Sequence, residues 1–157
     1  MHLTQYTDFA LRALIALAVS PDERSTVSQI SSAYGISRHH LVKVAGRLAE
    51  LGYIESTRGK GGGIRLARRP QRIGMGEVVR DMEAELGVVE CLTEGGGTCV
   101  IAPACRLKSM LHEATKRFLE ELDQYTLADV LKARAPLSRL LGIPVSIETV
   151  SFPRART

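Results

Sequence analysis

Several common features are missing from this 157-residue sequence. Tryptophan is absent, and three Phe and four Tyr are the only other aromatic residues, which excludes an aromatic-rich core and predicts an aliphatic one. The longest apolar run, residues 13–19, is far shorter than the roughly 20 residues that span a membrane. Asp8 and the lack of a basic flank argue against a signal peptide. We therefore expect a cytoplasmic protein without membrane contact.

Cysteine is also scarce, and all three cysteines lie in one short segment. Cys91, Cys99 and Cys105 have the spacing C-x7-C-x5-C around the glycines of residues 95–97. An odd number of thiols does not close a disulfide framework, and in a reducing compartment cysteines are more often ligands or reactive groups. Structural zinc is the alternative, but the C-x2-4-C pairs typical of zinc sites are missing. The segment therefore favours iron bound by thiolates.

The positive charge is concentrated in the middle of the chain. The net charge is +4, but residues 37–69 contain eight Lys or Arg and two acidic residues, a local charge of +6 that leaves −2 for the remainder. Such asymmetry is typical of a surface that binds a polyanion such as DNA. A solvated basic face is the alternative that charge alone leaves open.

The N-terminal third of the chain has the pattern of a helix-turn-helix. Apolar residues at helical spacing predict a first helix over residues 3–20, and Thr26 begins a capping-box signature for a second, short helix. Gly35 can adopt the left-handed conformation that ends this helix. Ser37 then caps a third helix over residues 38–51, the predicted DNA-reading helix. The buried stripe predicted for the first helix is Leu3, Tyr6, Ala10, Ala13, Leu14 and Leu17.

A β-ribbon is predicted after the third helix. Residues 53–57 and 64–67 have strand character and flank a glycine-rich basic segment over residues 58–63. This arrangement predicts a wing. A phosphate-binding P-loop would require Ser or Thr after the lysine and then a helix, whereas Lys60 precedes three glycines and a strand.

DNA contacts are predicted at two places, the start and outward side of the third helix and the tip of the wing. For the two histidines, an exposed pair without a special role is the alternative. Adjacent helix positions point about 100° apart, so neither histidine is predicted to bind a metal. The predicted contacts are Ser37, Arg38, His39, His40, Lys43 and Arg47 on the helix, and Arg58 and Lys60 on the wing.

A long amphipathic helix is predicted over residues 106–125, because apolar residues recur there at steps of three and four. It is too extended for the small head to cover, so we expect it to pair with its copy in a homodimer. Packing against the head of the same chain is the alternative. A dimer would place two reading helices about one turn of DNA apart, on a palindromic operator.

These elements predict a mainly α fold with a small β-wing, in which a winged helix-turn-helix head precedes a long dimerisation helix. Pro136, Pro144 and Pro153 limit regular structure in the tail. The predicted parts are a winged-helix DNA-binding domain at residues 1–75, a linking helix and cysteine loop at 76–105, a dimerisation helix with a short following helix at 106–132, and a tail at 133–157.

Several motifs together resemble the family of iron-sulfur winged-helix transcriptional repressors typified by IscR and NsrR. They are LTQYTDFALR at residues 3–12, SRHHLVKV at 37–44, RGKGGGIRL at 58–66, and the three cysteines before the long helix. Within the family the sequence is most similar to NsrR, the nitric-oxide-sensitive branch, including CRLK at residues 105–108. The resemblance covers residues 1 to 131.

The resemblance implies a ligand set. In IscR-like members the fourth ligand is a His three residues after the last Cys, a position held here by Lys108. His112 is seven residues beyond Cys105, about 10 Å farther along the helix, and a poor match. NsrR-like members can use an Asp of the first helix, donated by the other subunit, and Asp8 matches that position. Favourable interaction with the helix dipole is the alternative role for Asp8.

The resemblance also implies a function. The expected cofactor is an iron-sulfur cluster, with 4Fe-4S favoured over 2Fe-2S, held by Cys91, Cys99, Cys105 and the partner's Asp8. The gap between Cys91 and Cys99 is longer than is common in the family, which leaves the cluster geometry open. Nitric oxide would release the dimer from its operator. The alternatives are a regulator responding to iron or cluster status, and a metal-independent DNA-binding protein; no motif favours an enzyme.

Overall fold

The computed structural model describes residues 2–57, 59 and 62–143, which form a mainly helical fold with one small sheet. The predicted winged helix-turn-helix followed by a long helix is confirmed. Among the residues described, no helix is long and apolar enough to cross a membrane. The helices are α1 (Gln5–Val19), α2 (Val27–Tyr34), α3 (Arg38–Glu50), α4 (Met75–Met82), α5 (Arg106–Leu122), α6 (Leu127–Val130) and α7 (Arg134–Leu140); the strands are β1 (Arg24–Ser25), β2 (Ile54–Thr57) and β3 (Gly63–Leu66).

The ends of the head helices follow local sequence signals. At the start of α2, Thr26 Oγ1 accepts a hydrogen bond from the Gln29 N–H at 3.1 Å, and Gln29 Oε1 accepts from the Thr26 N–H at 2.8 Å. This is the predicted capping box. Gly35 ends α2 with φ +64°, as predicted. The prediction for Ser37 was wrong in one respect: it is the N-cap residue of α3, but its side chain makes no capping hydrogen bond.

The sheet has three strands, not the two predicted. β3 lies in the centre and pairs antiparallel with β2 on one side and with the two-residue strand β1 on the other. Gly63 allows this pairing, because a Cβ at that position would lie 2.6 Å from the carbonyl oxygen of Ser25. The wing is thereby fastened to the segment between α1 and α2.

The core is mostly aliphatic, as predicted, with Ala10, Leu14 and Leu17 of α1 among its fully buried residues. The predicted stripe also included Leu3, which precedes α1 and is half-buried, and Tyr6, which was wrongly predicted to be buried. It is exposed, and its hydroxyl donates to the backbone carbonyl of Lys43 at 3.1 Å. Tyr53 is the largest fully buried side chain, and its hydroxyl reaches the Asp81 carboxylate at 2.6 Å.

α5 packs against α4 and against the short turn Glu90–Leu92. Its one buried residue among those described is Leu119. All of the residues predicted to form the apolar stripe stay at least partly exposed in the single chain, and Leu107 is 59% exposed. The predicted stripe is Leu107, Leu111, Ala114, Phe118, Leu122 and Tyr125. α5 ends three residues earlier than predicted, at Leu122.

Two short helices follow α5. A capping box between Thr126 and Asp129 begins α6, and the hydrogen bonds from Thr126 and Lys132 lower the pKa of Asp129 to about 2. α7 lies in the predicted tail, with Pro136 in its first turn, where the missing N–H removes no helical hydrogen bond. Pro144 and Pro153 lie outside the described residues.

Candidate DNA interface and cysteine loop

The reading helix α3 presents one side to the core and the other to solvent. Leu41, Val44 and Leu48 are fully buried against α1 and α2. The opposite side carries every residue of the helix predicted to contact DNA, and all of them are exposed. These residues are Ser37, Arg38, His39, His40, Lys43 and Arg47. The other two predicted contacts, Arg58 and Lys60, lie outside the described residues.

Hydrogen bonds from both neighbouring helices hold α3 in place. Arg38 Nε donates to the Ser28 hydroxyl of α2 at 3.1 Å, and the Tyr6 hydroxyl of α1 donates to the carbonyl of Lys43 at 3.1 Å. Both bonds lie on the outer part of the head. They hold the orientation of α3 relative to α1 and α2 without covering the exposed side of α3. Arg47 pairs with Glu50 at 3.4 Å, a weak surface contact that DNA phosphates can replace.

The two histidines differ in their surroundings. The His40 ring stacks on Phe9 of α1, with centroids 6.5 Å apart and an interplanar angle of 22°. His39 is tilted against His40 at 6.2 Å. His40 therefore packs against α1 while remaining exposed, whereas the ring contact of His39 is with His40. Their contact with DNA stays a prediction.

Two residues on the exposed side of α3 were missed by reasoning from charge. Val42 is 48% exposed, and Gly46, one turn later, has no atom within 4 Å of the position that a Cβ would occupy. A helical glycine costs about 1 kcal/mol relative to alanine, and neither packing nor backbone conformation requires one here. Plotting the sequence on a helical wheel would have found both residues, since they share the face of Arg38 and His39.

The three cysteines lie in a loop that joins α4 to α5, and all are free. Cys91 occupies the turn Glu90–Leu92, Cys99 is exposed, and Cys105 is the N-cap residue of α5. Consecutive turns connect the last two, through hydrogen bonds from Ala102 N–H to the Cys99 carbonyl at 3.1 Å and from Cys105 N–H to the Ala102 carbonyl at 3.4 Å.

The three cysteine side chains of the loop are chemically suited to bind an iron-sulfur cluster. Thiolate is the ligand that such clusters prefer, and none of the three thiols is committed to a disulfide. Cys105 stands at the N-terminus of a 17-residue helix, whose first N–H groups lack a side-chain cap. In the described part of this single chain, however, no three His, Cys, Asp or Glu side chains are gathered as a metal site.

Asp8 lies in the first turn of α1 and is 41% exposed. Its carboxylate accepts from Arg12 Nε at 2.9 Å and from a second guanidinium nitrogen at 2.7 Å. An exposed i,i+4 pair of this kind contributes only about 0.3–0.5 kcal/mol. This pair is therefore weak enough for the Asp8 carboxylate to leave Arg12 and bind a stronger partner such as a metal ion. His112, the other residue considered as a fourth ligand, lines a cleft of about 530 Å³ between α4 and α5.

The start of α1 is tied to the end of α4. Glu83 Oε1 accepts from the Thr4 N–H at 2.7 Å and from the Thr4 hydroxyl at 3.2 Å. Thr4 is the N-cap of the helix that carries Asp8, and Glu83 is the residue with which the chain leaves α4 toward the cysteine loop. The two predicted ligand segments are therefore mechanically connected within one chain.

Comparisons with known proteins agree with this arrangement. The profile of the Rrf2 family, described as "Iron-dependent Transcriptional regulator", matches residues 3–133. An "HTH-type transcriptional regulator NsrR" of Geobacillus kaustophilus is 51% identical over 142 residues, which cover 90% of this chain and 97% of that protein. The protein of the same name from Bacillus subtilis is 49% identical with the same coverage.

Solved structures give the same fold. The structure of T. potens IscR superimposes with a TM-score of 0.63 at 26% identity, covering 85% of this chain and 88% of that one. CymR (YrzC), the global cysteine regulator of B. subtilis, superimposes with a TM-score of 0.64 at 25% identity, covering 85% and 98%.

Proposed function

Since the chain belongs to the Rrf2 family of transcriptional regulators and is most similar to NsrR, we propose that it is a dimeric repressor that senses nitric oxide through an iron-sulfur cluster. The observation that carries the proposal is the order of three features along one chain. An exposed basic reading helix comes first, a loop with three free thiols follows, and a long helix with an exposed apolar stripe comes last. As a DNA-binding regulator, the protein would act in the cytoplasm.

The DNA-binding half rests on the exposed side of α3. Lys43 and Arg47, both exposed, would contact phosphates, and the residues at the start of the helix would contact base edges. Val42 adds an apolar group that can touch the C5-methyl group of thymine. The open surface at Gly46 lets the helix backbone approach the groove closely. Arg58 and Lys60 stay proposed contacts of the wing.

The sensing half rests on the cysteine loop. Cys91, Cys99 and Cys105 would hold the cluster, and Asp8 of a second subunit would supply the fourth ligand. When bound, a cluster with one carboxylate ligand supplies iron that a small diatomic gas can reach. The chain's own part is to present three cysteine side chains in one loop, with Cys105 at the start of α5. A 4Fe-4S cluster is the preferred form.

The dimer half rests on α5. A stripe that is largely exposed in one chain can be covered by the same stripe of a second copy, as in antiparallel or parallel helix pairs. Two heads joined in this way engage two half-sites, so each gains from the effective concentration set by the other. Small changes in the spacing of the heads therefore change operator affinity strongly.

Coupling between the halves follows from three contacts. The turn carrying Cys91 packs on α5, Arg80 of α4 pairs with Asp123 at the end of α5, and Glu83 holds Thr4 at the start of α1. A loop that is released from the cluster would move more freely, and these contacts would pass its movement to α5, α4 and the start of α1. We propose that the heads then leave register with the palindrome and that the repressed genes are transcribed.

The test is a nitric oxide titration of the anaerobically isolated protein, with visible absorption and operator affinity followed together. We expect thiolate-to-iron bands, their loss on addition of a few nitric oxides per cluster, and a parallel loss of operator binding. Release by iron limitation but not by nitric oxide would instead identify an iron-status regulator. Operator affinity that does not depend on metal, with normal affinity in Cys99→Ala, would reduce the protein to a metal-independent DNA-binding dimer.

A further inference from the structure

We propose that Glu90 is a positioning residue that holds Cys91 and Cys99, the consecutive cysteines with the longer spacing, near each other before any metal binds. This inference rests on the proposed function of the loop. Glu90 immediately precedes Cys91, and its carboxylate reaches across the loop to the residue before Cys99. The seven residues between these cysteines form the longest interval of the motif, so this is the interval that most needs a brace.

Glu90 is bound at both its backbone and its side chain. Its carbonyl oxygen accepts from the Thr93 N–H at 3.2 Å and from the Thr93 hydroxyl at 2.8 Å, which closes the turn that carries Cys91. Its side-chain Oε1 accepts from the Thr98 N–H at 3.2 Å. One residue thus links the turn at Cys91 to the backbone next to Cys99. Hydrogen bonds to a carboxylate are stronger than those between neutral groups.

The glycines of the loop support the same role. Gly96 and Gly97 both have the left-handed conformation, with φ +67° and +62°. They differ in their surroundings: a Cβ at Gly97 would lie 2.7 Å from Glu90 Cγ, whereas a Cβ at Gly96 would meet no atom within 4 Å. Gly97 is therefore needed twice, for its backbone and for the close passage of the Glu90 side chain. Gly96 is needed for its backbone alone.

The brace has a simple consequence for the thiols. Without the hydrogen bond from Thr98 to Glu90, residues 94–98 can move away from the turn at Cys91. They must then return before Cys91 and Cys99 can bind one cluster. Ordering the loop in advance lowers this entropic cost of ligand assembly. Glu90 does not have to touch a metal to have this effect, since its partners are Thr98 and Thr93.

The first experiment uses the full-length chain without metal. Cys105→Ser leaves Cys91 and Cys99, and dibromobimane joins two thiols when both displace a bromide within its short reach. We expect Glu90→Ala to slow this cross-linking several-fold, and Glu90→Gln to retain most of the rate because the amide oxygen can still accept from Thr98. Circular dichroism checks that each variant is folded.

The two glycines provide the matched pair of controls. Gly97→Ala should slow cross-linking as much as Glu90→Ala, while Gly96→Ala, with the same backbone strain but no contact with Glu90, should have the smaller effect. Equal losses in both glycine variants, or an unchanged rate in Glu90→Ala, would overturn the inference.

A second measurement does not depend on cysteine chemistry. Hydrogen exchange of the Thr98 amide, followed by NMR in the otherwise unaltered apoprotein, should accelerate in Glu90→Ala and stay slow in Glu90→Gln. Exchange that is equally fast in all three proteins would also overturn the inference. Because neither assay contains iron, a protein that passes both but never acquires a cluster would refute the proposed function and leave the role of Glu90 intact.

Discussion

Arg80 and Asp123 form a two-bond ion pair in which two guanidinium nitrogens donate to two carboxylate oxygens, each at 2.6 Å. Arg80 lies in the last turn of α4 and Asp123 directly follows α5, so the pair fastens the head to the long helix. The hydrogen bond from Arg80 lowers the pKa of the Asp123 carboxyl, and the same bond raises the pKa of Arg80. Movement of α5 is therefore passed to α4.

The first prediction concerns the charge of this pair. The folded-state pKa of Asp123 lies below its unfolded value of about 3.9, so the contribution to stability is present above that value and is lost as pH falls through the folded pKa. We expect Asp123→Asn to lower the free energy of unfolding at pH 7, with a difference from wild type that shrinks below about pH 4. Urea unfolding at several pH values measures this. In an Arg80→Met background the substitution should have little further effect; a full effect there would contradict the pairing.

The second prediction concerns Gly76, which lies directly beneath the ion pair. A Cβ at Gly76 would lie 2.1 Å from Asp123 Oδ1 and 3.1 Å from an Arg80 nitrogen. Gly76→Ala should therefore push the Asp123 carboxylate aside and weaken the ion pair, which offsets the better helix propensity of alanine, so we expect no net stabilisation. Gly46→Ala is the matched control, because the same change meets no atom there and should stabilise the fold by up to about 1 kcal/mol. Thermal unfolding distinguishes the two, and similar effects at both positions would contradict the packing argument.

The third prediction concerns Val42 on the reading helix. Loss of its contact with a thymine methyl group should cost roughly 1 kcal/mol, about a fivefold weaker operator affinity for Val42→Ala. Replacing single thymines of the half-site by uracil removes the same methyl group from the DNA side. At one position, uracil should weaken wild-type binding but not binding by Val42→Ala.

A matched substitution separates base reading from charge. Lys43→Ala should weaken binding to all sequences and lower the salt dependence, while retaining the sensitivity to uracil. If Val42→Ala responds to every uracil substitution as the wild type does, Val42 does not contact a thymine methyl group.

Much of the head could be predicted because its signals are local. The capping box at Thr26 and the left-handed Gly35 lie within the elements that they delimit. The strand β1 was missed because two residues carry no period, and Arg24 and Ser25 become a strand only by pairing with Arg65 and Ile64, some 40 residues away. Tyr6 was misplaced because helical spacing alone does not distinguish a buried aromatic ring from an exposed one. The exposed Tyr6 hydroxyl donates a hydrogen bond to a backbone carbonyl of the neighbouring helix α3.

The candidate site divides in the same way. Helical periodicity placed the charged side chains of α3 on the outer face, but a search by charge passed over Val42 and Gly46. The cysteine spacing identified the three thiols, whereas the convergence that we propose for them would depend on a metal and on a second subunit, neither of which is encoded in local pattern. The contact of Glu90 with Thr98 spans a loop without period and could not be read from the sequence.

The last prediction concerns the exposed stripe of α5. Leu107 is 59% exposed in the single chain and belongs to the apolar stripe that we propose to be covered in the dimer. Leu107→Glu would place a charge in that contact, where an unpaired carboxylate is costly, so we expect the dimer to dissociate. Multi-angle light scattering measures the mass, and operator affinity should fall by roughly 10²–10⁴ because each head would bind a half-site alone.

Leu140→Glu is the matched control, because Leu140 is an equally apolar exposed residue on α7, outside the stripe. It should leave both the mass and the operator affinity unchanged. A monomer produced by Leu107→Glu should still bind non-specific DNA with a reduced salt dependence, since its reading helix is intact. A Leu107→Glu protein that stays dimeric would mean that α5 packs elsewhere, and the spacing of the two heads would then have to be set by a different surface of the chain.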